Sequence, residues 1–431
     1  MQTSLRGIAN KAQTNKQHRF GNLYELINEE YLHDCWREIN KNAAYGVDQI
    51  SAREYEENLE ANIRDLVERL KRKTYRAKLV RRHYIPKADG KQRGLGIPAI
   101  EDKLVQRAVA RILEAIYEQD FLRCSYGYRP GKGALDAVDK LTVKLQFGRY
   151  DYIVEADIKA FFDNISHEKL EEMLKERIND GALLRLINKW LKAGVLETDG
   201  QVIHPESGTP QGGIISPGLA NVYLHYTLDV WFQGVVKRHC HGEAFLIRFV
   251  DDVVCGFEYR EDAEAFYKVL GKRLEKYGLE LSASKTRIIE FSRRDQNGKN
   301  RFDFLGFEFY WGKDRAGKEH LKRRTSRNKM KKSLAEFTEW KRDQPLRRLM
   351  KELKAKLQGY YNYYGVKGNF EGLKEFYDEA VRILMKWLNR RSQKKSFNWE
   401  GFKEMLKYFK IPRPQIKERK RARQEVALAK C

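Results

Sequence analysis

The 431-residue sequence contains no apolar run that approaches the roughly 18 residues a membrane-spanning helix needs, so a membrane protein is not indicated. Its first twenty residues lack the apolar core of a secretory signal. Five cysteines are scattered along the chain, and no two of them form a C-x-x-C pair. This pattern argues against the disulfide framework of a secreted protein and indicates reduced thiols in a cytosolic setting.

Acidic residues are scarce relative to basic ones. The chain has 60 Asp and Glu against 84 Lys and Arg, which gives a formal net charge of +24. Such an excess favours a polyanionic partner, with nucleic acid as the first candidate and an anionic membrane surface as the second. The membrane is the weaker interpretation because the basic residues are interleaved with aromatic ones along the whole chain. Hydrophobic residues make up 42%, which predicts a folded chain, and the length allows two or three domains.

The spacing of apolar residues predicts a mixed chain of helices and strands. Helices are expected over 22–40, 53–72, 100–120, 133–146, 167–179, 182–192 and 261–277, and a turn leads into a helix within 207–225. Strands are expected in hairpins over 79–98 and 244–257, and in 150–157, 279–291 and 302–310. After about residue 312 helical periodicity dominates, which predicts a small helical domain with helices near 346–361, 373–388 and 399–409.

The run 249-FVDD-252 places two adjacent carboxylates, Asp251 and Asp252, inside an apolar stretch. Two acids at a strand end are commonly turn residues, so this string alone is a weak signal. A second apolar run, 152-YIVEAD-157, also ends on an acid, Asp157. If the two strands are neighbours in one sheet, the three carboxylates converge as oxygen ligands suited to Mg²⁺. Two such ions about 3.5–4 Å apart are the arrangement that serves phosphoryl transfer.

Several segments resemble, in order and spacing, the motif series of reverse transcriptases. They are DIKAFFDNI at 157–165, SGTPQGGIISPGLANVYLH at 207–225, RFVDDVVCGF at 248–257, LSASKTRIIEF at 281–291 and FDFLGFEF at 302–309. YGVDQIS at 45–51 and YIPKADGKQRGLGIP at 84–98 resemble the early fingers motifs of bacterial group II intron-encoded and group II-like enzymes. LQGYYNYYG at 357–365 with YFKIPRP at 408–414 resembles their thumb, the maturase domain. The resemblance covers residues from about 5 to 414.

The resemblance implies a right-hand polymerase of the α+β class, with fingers and an antiparallel palm sheet followed by an α-helical thumb. The implied segments are an N-terminal extension over 1–45, a fingers–palm reverse transcriptase domain over 46–312, a helical thumb or maturase domain over 313–414 and a basic tail over 415–431. The implied activity is that of an RNA-directed DNA polymerase, which extends a primer with dNTPs by two-metal nucleotidyl transfer and also binds intron RNA as a maturase.

The resemblance also implies roles for single residues. Asp157 and Asp251 match the metal-ligating aspartates, with Asp252 as the third acid, for two Mg²⁺ ions with Mn²⁺ as a substitute. Phe162 matches the gate beneath the incoming sugar, where a flat ring excludes a 2′-hydroxyl; the alternative is a core aromatic, the role expected of Phe161. The other nucleotide-binding positions are Lys87 and Arg93 at the triphosphate, Gln211 and Gly212 in the loop under the nucleotide and template base, and Lys285 as a candidate general acid for pyrophosphate.

The segment 322–332 contains seven basic residues and no acid. A charge run of this kind is often a solvated face, but the resemblance implies that it holds an RNA template with a DNA primer through the backbone of the duplex. The expected contacts are Lys322, Arg323, Arg324, Arg327 and Lys329. The implied location is the bacterial cytoplasm, and the oligomeric state stays open.

The sequence departs from the group II pattern at Phe249 and Val250, where tyrosine and alanine are usual. The bulkier Val250 is expected to press on the primer end. This departure leaves open a domesticated relative that acts in DNA repair or defence. Two further alternatives are a splicing cofactor whose polymerase site is secondary, and a polymerase that copies DNA templates. No Cys-rich or His-rich endonuclease segment follows residue 414, so retrohoming would need another source of nicking.

Overall fold

The computed structural model describes residues 4–86, 92–209, 212–293, 300–314, 316–340, 344–391 and 397–418. The chain forms two compact units, one made of Met1–Ala137 and Tyr152–Ile288, the other of Val138–Asp151 and Ile289–Cys431. The four segments predicted from the sequence stay predictions, because a compact packing unit and a functional domain need not share their boundaries.

Helices are the main regular elements of both units. In chain order they are α1 (Leu5–Thr14), α2 (Glu29–Glu38), α3 (Ala52–Glu57), α4 (Leu59–Lys71), α5 (Ile100–Tyr117), α6 (Ala134–Phe147), α7 (His167–Lys175), α8 (Gly181–Leu191), α9 (Ser216–Leu224), α10 (Lys237–His239), α11 (Arg260–Glu275), α12 (Arg327–Glu339), α13 (Leu346–Tyr364), α14 (Phe370–Arg391) and α15 (Trp399–Tyr408). Two π-helical segments, His225–Asp229 and Phe232–Val236, lie between α9 and α10. In the described residues, no helix combines the length and apolarity needed to cross a bilayer.

Strands form three sheets. They are β1 (Val80–Pro86), β2 (Gln92–Ile97), β3 (Ser125–Tyr126), β4 (Tyr152–Asp157), β5 (Val195–Leu196), β6 (Val202–Ile203), β7 (Ala244–Phe249), β8 (Asp252–Phe257), β9 (Arg287–Glu290), β10 (Phe302–Phe304), β11 (Phe307–Lys313) and β12 (Glu319–Thr325). Their orders are β2-β1-β5-β6, β3-β7-β8-β4-β9 and β10-β11-β12. The predicted α+β class is therefore confirmed.

The helix predicted over 22–40 is shorter in the structure. A single 3₁₀ turn, Tyr24–Leu26, precedes α2, which begins only at Glu29. The side chain of Asn28 accepts a hydrogen bond from the backbone N–H of Tyr31 and so caps the helix. Apolar periodicity continues through this cap, and for that reason the pattern alone extends the helix too far.

The core of the first unit surrounds α5. This helix is buried on most of its sides and packs against α1, α2 and α9. Its buried Asp102 accepts hydrogen bonds from the Tyr75 hydroxyl and from the backbone N–H of Lys78. Because a buried carboxylate needs such donors, these bonds join α5 to the segment that leads into the β1–β2 hairpin.

The five-stranded sheet confirms that the strand ending in Asp157 and the hairpin that carries Asp251 are neighbours. Strand β8 pairs antiparallel with β7 on one side and with β4 on the other. The two-residue strand β3 adds a short parallel pair to β7. The sheet thus gathers strand ends from three distant parts of the sequence at one edge.

The second unit contains a sheet as well as the predicted helices. The helices expected near 346–361, 373–388 and 399–409 are confirmed as α13, α14 and α15. The expectation that helical structure dominates directly after residue 312 is wrong, because β12 pairs with β11 over Glu319–Thr325. Every second residue of β12 from Leu321 to Thr325 is buried, which is the period of a strand.

Candidate active site

Three carboxylates lie at the ends of neighbouring strands. Asp157, the last residue of β4, stands directly opposite Asp252, the first residue of β8. On the other side of β8, Asp252 is paired with Phe249, and the two-residue turn Val250-Asp251 joins the strands. Since the pairing register fixes the backbone of both acids, Asp157, Asp251 and Asp252 belong to one small region of the first unit.

The surroundings resist negative charge at this strand end. Burial raises the pKa of Asp251, the charge of Asp157 raises it further, and the cations Arg93 and Lys285 oppose the rise. Desolvation, and then the charges of Asp251 and Asp157, raise the pKa of Asp252 to about 6. Asp252 is nevertheless solvent-exposed, so a cation can reach it. The crowding of like charges creates a demand for positive charge at this place.

Lys285 supplies part of that positive charge. Its Nζ donates to Asp157 Oδ2 at 3.1 Å. The turn before β9 places it there, because the N–H of Ser282 donates to the carbonyl of Asp157 at 2.8 Å and the N–H of Lys285 donates to the carbonyl of Ser282 at 3.0 Å. The structure thus brings together Asp157 and Lys285, which are 128 residues apart in the sequence.

The donor set fits divalent cations. Carboxylate oxygens are the ligands that Mg²⁺ prefers. Burial and the neighbouring acids raise the pKa of Asp251 and Asp252, and a bound cation would offset this rise. Within the described residues, no three His, Cys, Asp or Glu side chains are already placed so that they could hold an ion. The pairing register therefore brings the backbones of the three acids together. Binding of an ion would require their side chains to turn toward a common centre.

Phe162 lies in a tight turn directly after β4. Ala160 has a left-handed conformation (φ 44°) and begins the 3₁₀ turn Phe161–Asp163. Phe161 is 2% exposed and packs in the core, as expected from the sequence, whereas Phe162 is only half-buried. The Phe162 ring therefore packs against the core in part and stays partly accessible to solvent.

Gly208 holds the Phe162 turn and was missed by the sequence analysis. Its φ is +91°, and a Cβ atom there would lie 2.9 Å from the carbonyl oxygen of Phe162 and 2.8 Å from that of Asp163. The next residue, Thr209, donates its N–H to the Phe162 carbonyl at 2.8 Å. Only glycine permits this approach, so the signal was present in the SGT string but could not be assigned without the partner turn.

Gly212 lies close to the hairpin that β1 and β2 form. It has φ +118°, and a Cβ atom would lie 2.5 Å from the carbonyl oxygen of Gly96 in β2. Downstream, the N–H of Ile214 donates to Oε1 of the buried Gln106 at 2.9 Å, another contact without a signal in the sequence. The predicted Gln211 lies outside the described residues.

Arg93 lies in β2, in the hairpin that β1 and β2 form. It stands opposite Ile85 in the β1–β2 pair, is exposed, and its positive charge acts on Asp251. The predicted partner Lys87 lies outside the described residues.

Val250 adopts an unusual backbone conformation. Its φ is +56°. For a β-branched residue, this backbone conformation costs about 1–3 kcal/mol. Val250 is 5% exposed, and its side chain faces Gly127, where a Cβ atom would lie 2.7 Å from Val250 Cγ2. The expected pressure on a primer end is not apparent, because the side chain packs into the protein.

The basic segment of the second unit divides into two groups. Arg323 is 6% exposed and pairs with Asp139 at 2.5 Å and with Glu418. Arg324 pairs with Glu308 at 2.5 Å and lies over the Tyr310 ring. Both guanidinium groups serve internal ion pairs, which argues against the predicted contact of Arg323 with nucleic acid.

The remaining cations of this segment are more accessible. Arg327 is exposed at the first position of α12, and Lys322 and Lys329 are half-buried. Among the described residues, none of these three has an acidic partner within ion-pair distance. The segment thus offers fewer free cations than its composition suggests.

Comparison with known proteins identifies relatives for both units. A family model described as reverse transcriptase (RNA-dependent DNA polymerase) matches residues 85–309, and one described as the group II intron maturase-specific domain matches residues 327–406. Group II intron-encoded protein LtrA from Lactococcus lactis is 40% identical over 223 residues, 51% of this chain and 37% of LtrA. Protein YkfC from Escherichia coli is 35% identical over 248 residues, 56% of this chain and 63% of YkfC.

Among solved structures, telomerase from Candida albicans with a fragment of telomeric RNA aligns with a TM-score of 0.44 and 14% identity, over 84% of this chain and 66% of that one. The chain spans between about a third and two thirds of the length of the two curated relatives. The reverse transcriptase model matches more than half of the chain. The matched residues include Asp157, Asp251, Asp252, Arg93 and Lys285. The predicted right-hand polymerase fold is thereby confirmed, and the chain belongs to the reverse transcriptase family.

Proposed function

We propose that this chain is an RNA-directed DNA polymerase of the group II intron type, which extends a primer with dNTPs on an RNA template. The observation that carries the proposal is the register of Asp157 against Asp252, with Asp251 in the adjoining turn. A sheet that only needed to fold would gain nothing from three acids whose charges oppose each other.

Divalent metal ions serve reverse transcriptases generally, and we assign them here to Asp157, Asp251 and Asp252, as two Mg²⁺ ions for which Mn²⁺ can substitute. When bound, such ions supply Lewis-acid activation of the primer 3′-hydroxyl and neutralise charge on the triphosphate. The three carboxylates orient the ions, and the exposed Asp252 leaves the site open to nucleotide.

The cations and the turns around the carboxylates bind and select the nucleotide. Arg93, with Lys87, neutralises the triphosphate from the fingers hairpin. Phe162 presents its half-buried ring to the sugar, and Gly212 allows the loop to approach the base pair closely. We assign Lys285, whose Nζ donates to Asp157 at 3.1 Å, the role of proton donor to departing pyrophosphate.

The second unit adds RNA binding to this activity. The match of residues 327–406 to the maturase-specific domain supports a role in binding intron RNA. Lys322, Arg327 and Lys329 are the cations that we assign to phosphate contacts, since Arg323 and Arg324 are paired internally. A splicing cofactor without polymerase activity is not favoured, because it has no chemical need for three acids at one strand end.

Primer extension tests the proposal. Purified protein is incubated with Mg²⁺, dNTPs and matched primed RNA and DNA templates of the same sequence. Extension on RNA is the expected result. Extension on DNA alone would replace the proposal with a DNA-templated polymerase, and no extension on either template would favour the splicing cofactor.

A further inference from the structure

Arg248, three residues before Asp251, is a completely buried cation near the end of β7 (0% exposed). Each of its five N–H groups has an acceptor. Nε and Nη2 donate to the two carboxylate oxygens of Asp229 at 2.8 and 2.7 Å, Nη2 also donates to Ser125 Oγ at 2.7 Å, and Nη1 donates to Asn221 Oδ1 and to the carbonyl oxygen of Val250, both at 3.0 Å. The guanidinium group is thus fully satisfied by four residues.

Stability alone is a weak reason for this arrangement. The desolvation of a buried ion pair can exceed the attraction between its charges, and apolar residues of similar volume often serve a core as well. The pair of Arg248 with Asp229 differs from an ordinary core contact because it does not end within the core. One of its hydrogen bonds reaches the backbone of the turn that carries the catalytic acids.

The residue that Arg248 reaches is the strained one. Val250 has φ +56°, and both of its backbone polar groups are held: its N–H donates to the Tyr126 carbonyl at 3.1 Å, and its carbonyl accepts from Arg248. A β-branched residue keeps such a conformation only when its surroundings enforce it. Without these two bonds, the turn would be expected to relax and to move Asp251 and Asp252.

Asn221 joins the same network from the helix α9. Its Oδ1 accepts from Arg248, and its Nδ2 donates to the carbonyl of Gly127 at 2.9 Å. Gly127 has φ +85° and forms the surface on which the Val250 side chain rests. Arg248 therefore holds the backbone of the Val250 turn. Asn221 holds both Arg248 and the backbone of Gly127, against which the Val250 side chain packs.

We infer that Arg248 is a positioning residue for the metal site: with Asp229, Asn221 and Ser125 it holds the Val250 turn so that Asp251 and Asp252 face a divalent cation. This inference rests on the polymerase function proposed above. A displacement of about 1 Å at a catalytic constellation can cost on the order of 100-fold in rate, so the supporting bonds set the affinity for metal as well as the rate.

Arg177 offers a matched control in the same unit. It is 3% exposed and donates to the backbone carbonyls of Ala12, Asn15 and His18 at 3.1–3.2 Å. It also pairs with Asp120 at 2.9 Å. Arg177 is nearly as buried as Arg248 and also donates several hydrogen bonds, although its Nε has no hydrogen-bond acceptor; its contacts anchor the N-terminal segment and not the acidic turn.

The test compares Arg248→Lys with Arg177→Lys in the full chain. Lysine keeps the charge but has only three donors on one nitrogen, so it cannot supply the five hydrogen bonds that Arg248 makes. Binding of Mn²⁺ to the protein alone is measured by electron paramagnetic resonance, together with the Mg²⁺ dependence of primer extension and thermal unfolding. For Arg248→Lys we expect metal binding weaker by about 10-fold or more and a fall in kcat of about 10–100-fold, with KM for dNTP within about 3-fold.

The control defines a purely structural role. Arg177→Lys is expected to lower the unfolding temperature by a similar amount and to leave Mn²⁺ affinity unchanged. Equal unfolding temperatures and equal Mn²⁺ affinities in the two variants would overturn the inference. If Arg248→Lys does not fold, Ser125→Ala removes one acceptor only and should weaken Mn²⁺ binding by about 3-fold; unchanged binding would then decide against it.

A third variant separates this inference from the proposed function. Asp157→Asn removes a proposed ligand and should weaken Mn²⁺ binding more than any change at Arg248. If Asp157→Asn has no effect on Mn²⁺ binding, the proposed metal site itself is wrong. If Asp157→Asn weakens binding and Arg248→Lys does not, the metal site stands and only the positioning role fails.

Discussion

The first unit carries a cluster of three acids, and the second carries a cluster of seven bases over 322–332, but the protein compensates the two clusters differently. In the basic cluster, Arg323 and Arg324 are paired with Asp139, Glu418 and Glu308 inside their own unit. Among the described residues, the acidic cluster has one direct ion pair, from Lys285 to Asp157. Burial, and then the repulsion between the acids, raise the pKa of Asp251 and Asp252.

The difference teaches how to interpret a run of like charges. A cluster that is neutralised by distant residues of the same chain serves the fold, whereas one that stays uncompensated implies a ligand of opposite charge. By this criterion the acids are the stronger functional signal, although the bases are the more conspicuous run in the sequence. Each of the following predictions tests one side of this contrast.

The largest effect is expected from the uncompensated acids. Asp251→Asn should reduce primer extension by about 1000-fold or more, because several kcal/mol of transition-state stabilisation depend on the metal ions it would hold. Steady-state extension at saturating Mg²⁺ measures this. Asp199→Asn, an exposed acid in the turn between β5 and β6, is the matched control and should retain activity. Comparable activity of both variants would remove Asp251 from the site.

The second effect concerns the ring that borders the acids. Phe162→Ala should raise the use of ribonucleotides relative to deoxynucleotides by about 100-fold, because the steric exclusion of a 2′-hydroxyl is lost. The ratio of kcat/KM for rNTP and dNTP is the measurement. Phe161→Leu is the control, since Phe161 lies in the core and should affect stability without changing this ratio. An unchanged ratio in Phe162→Ala would contradict the assignment.

The third prediction divides the basic cluster itself. The double variant Arg327→Gln/Lys329→Gln should weaken binding to an RNA–DNA duplex by about 10-fold and reduce the slope of log K against log salt by roughly 1.5, since two phosphate contacts are lost. Binding is measured by fluorescence anisotropy between about 50 and 200 mM salt, a range in which counterion release dominates the affinity.

Arg323→Gln is the control for the compensated half of the cluster. It leaves Asp139 and Glu418 without their cation and should lower the free energy of unfolding by about 1–3 kcal/mol while the salt slope stays the same. A change in slope for Arg323→Gln equal to that of the double variant would show that internal pairing does not remove a cation from binding.

The smallest effect comes from a buried base in the first unit. Burial lowers the pKa of His225 to about 4, so between pH 6.5 and 4 the unfolded chain binds the proton and the folded chain does not. The free energy of unfolding contributed by this residue is therefore present above pH 6.5 and is lost as the pH falls. His225→Phe should remove about 1 kcal/mol of the loss between pH 6.5 and 5.5, as measured by urea unfolding. His83→Phe, at an exposed position of β1, is the control substitution.

Local patterns were sufficient for the site wherever its chemistry depends on the end of an element. The apolar runs that end in Asp157 and enclose Asp251 predicted two strands, and the structure shows that these strands are neighbours. The role of Phe162 was implied by the resemblance of residues 157–165 to a reverse transcriptase motif, and it stays a prediction. The same logic was wrong at α2, where the cap at Asn28 outweighs continuing periodicity, and at β12, where a basic run hides the period of a strand.

The amino-acid sequence by itself determined the features on which the proposed contacts with polyanions and metal ions depend: the excess of cations, the acids at the strand ends and the motif order that marks the family. Only the tertiary structure decided which charges are already neutralised, because Arg323 finds Asp139 at a separation of 184 residues and Arg248 finds Ser125 at 123. It also decided that Val250 takes a left-handed conformation against Gly127, since two strands and a helix must pack before that turn is forced. Ion pairing and backbone strain depend on which residues are neighbours in space. A pattern along the sequence therefore does not show them.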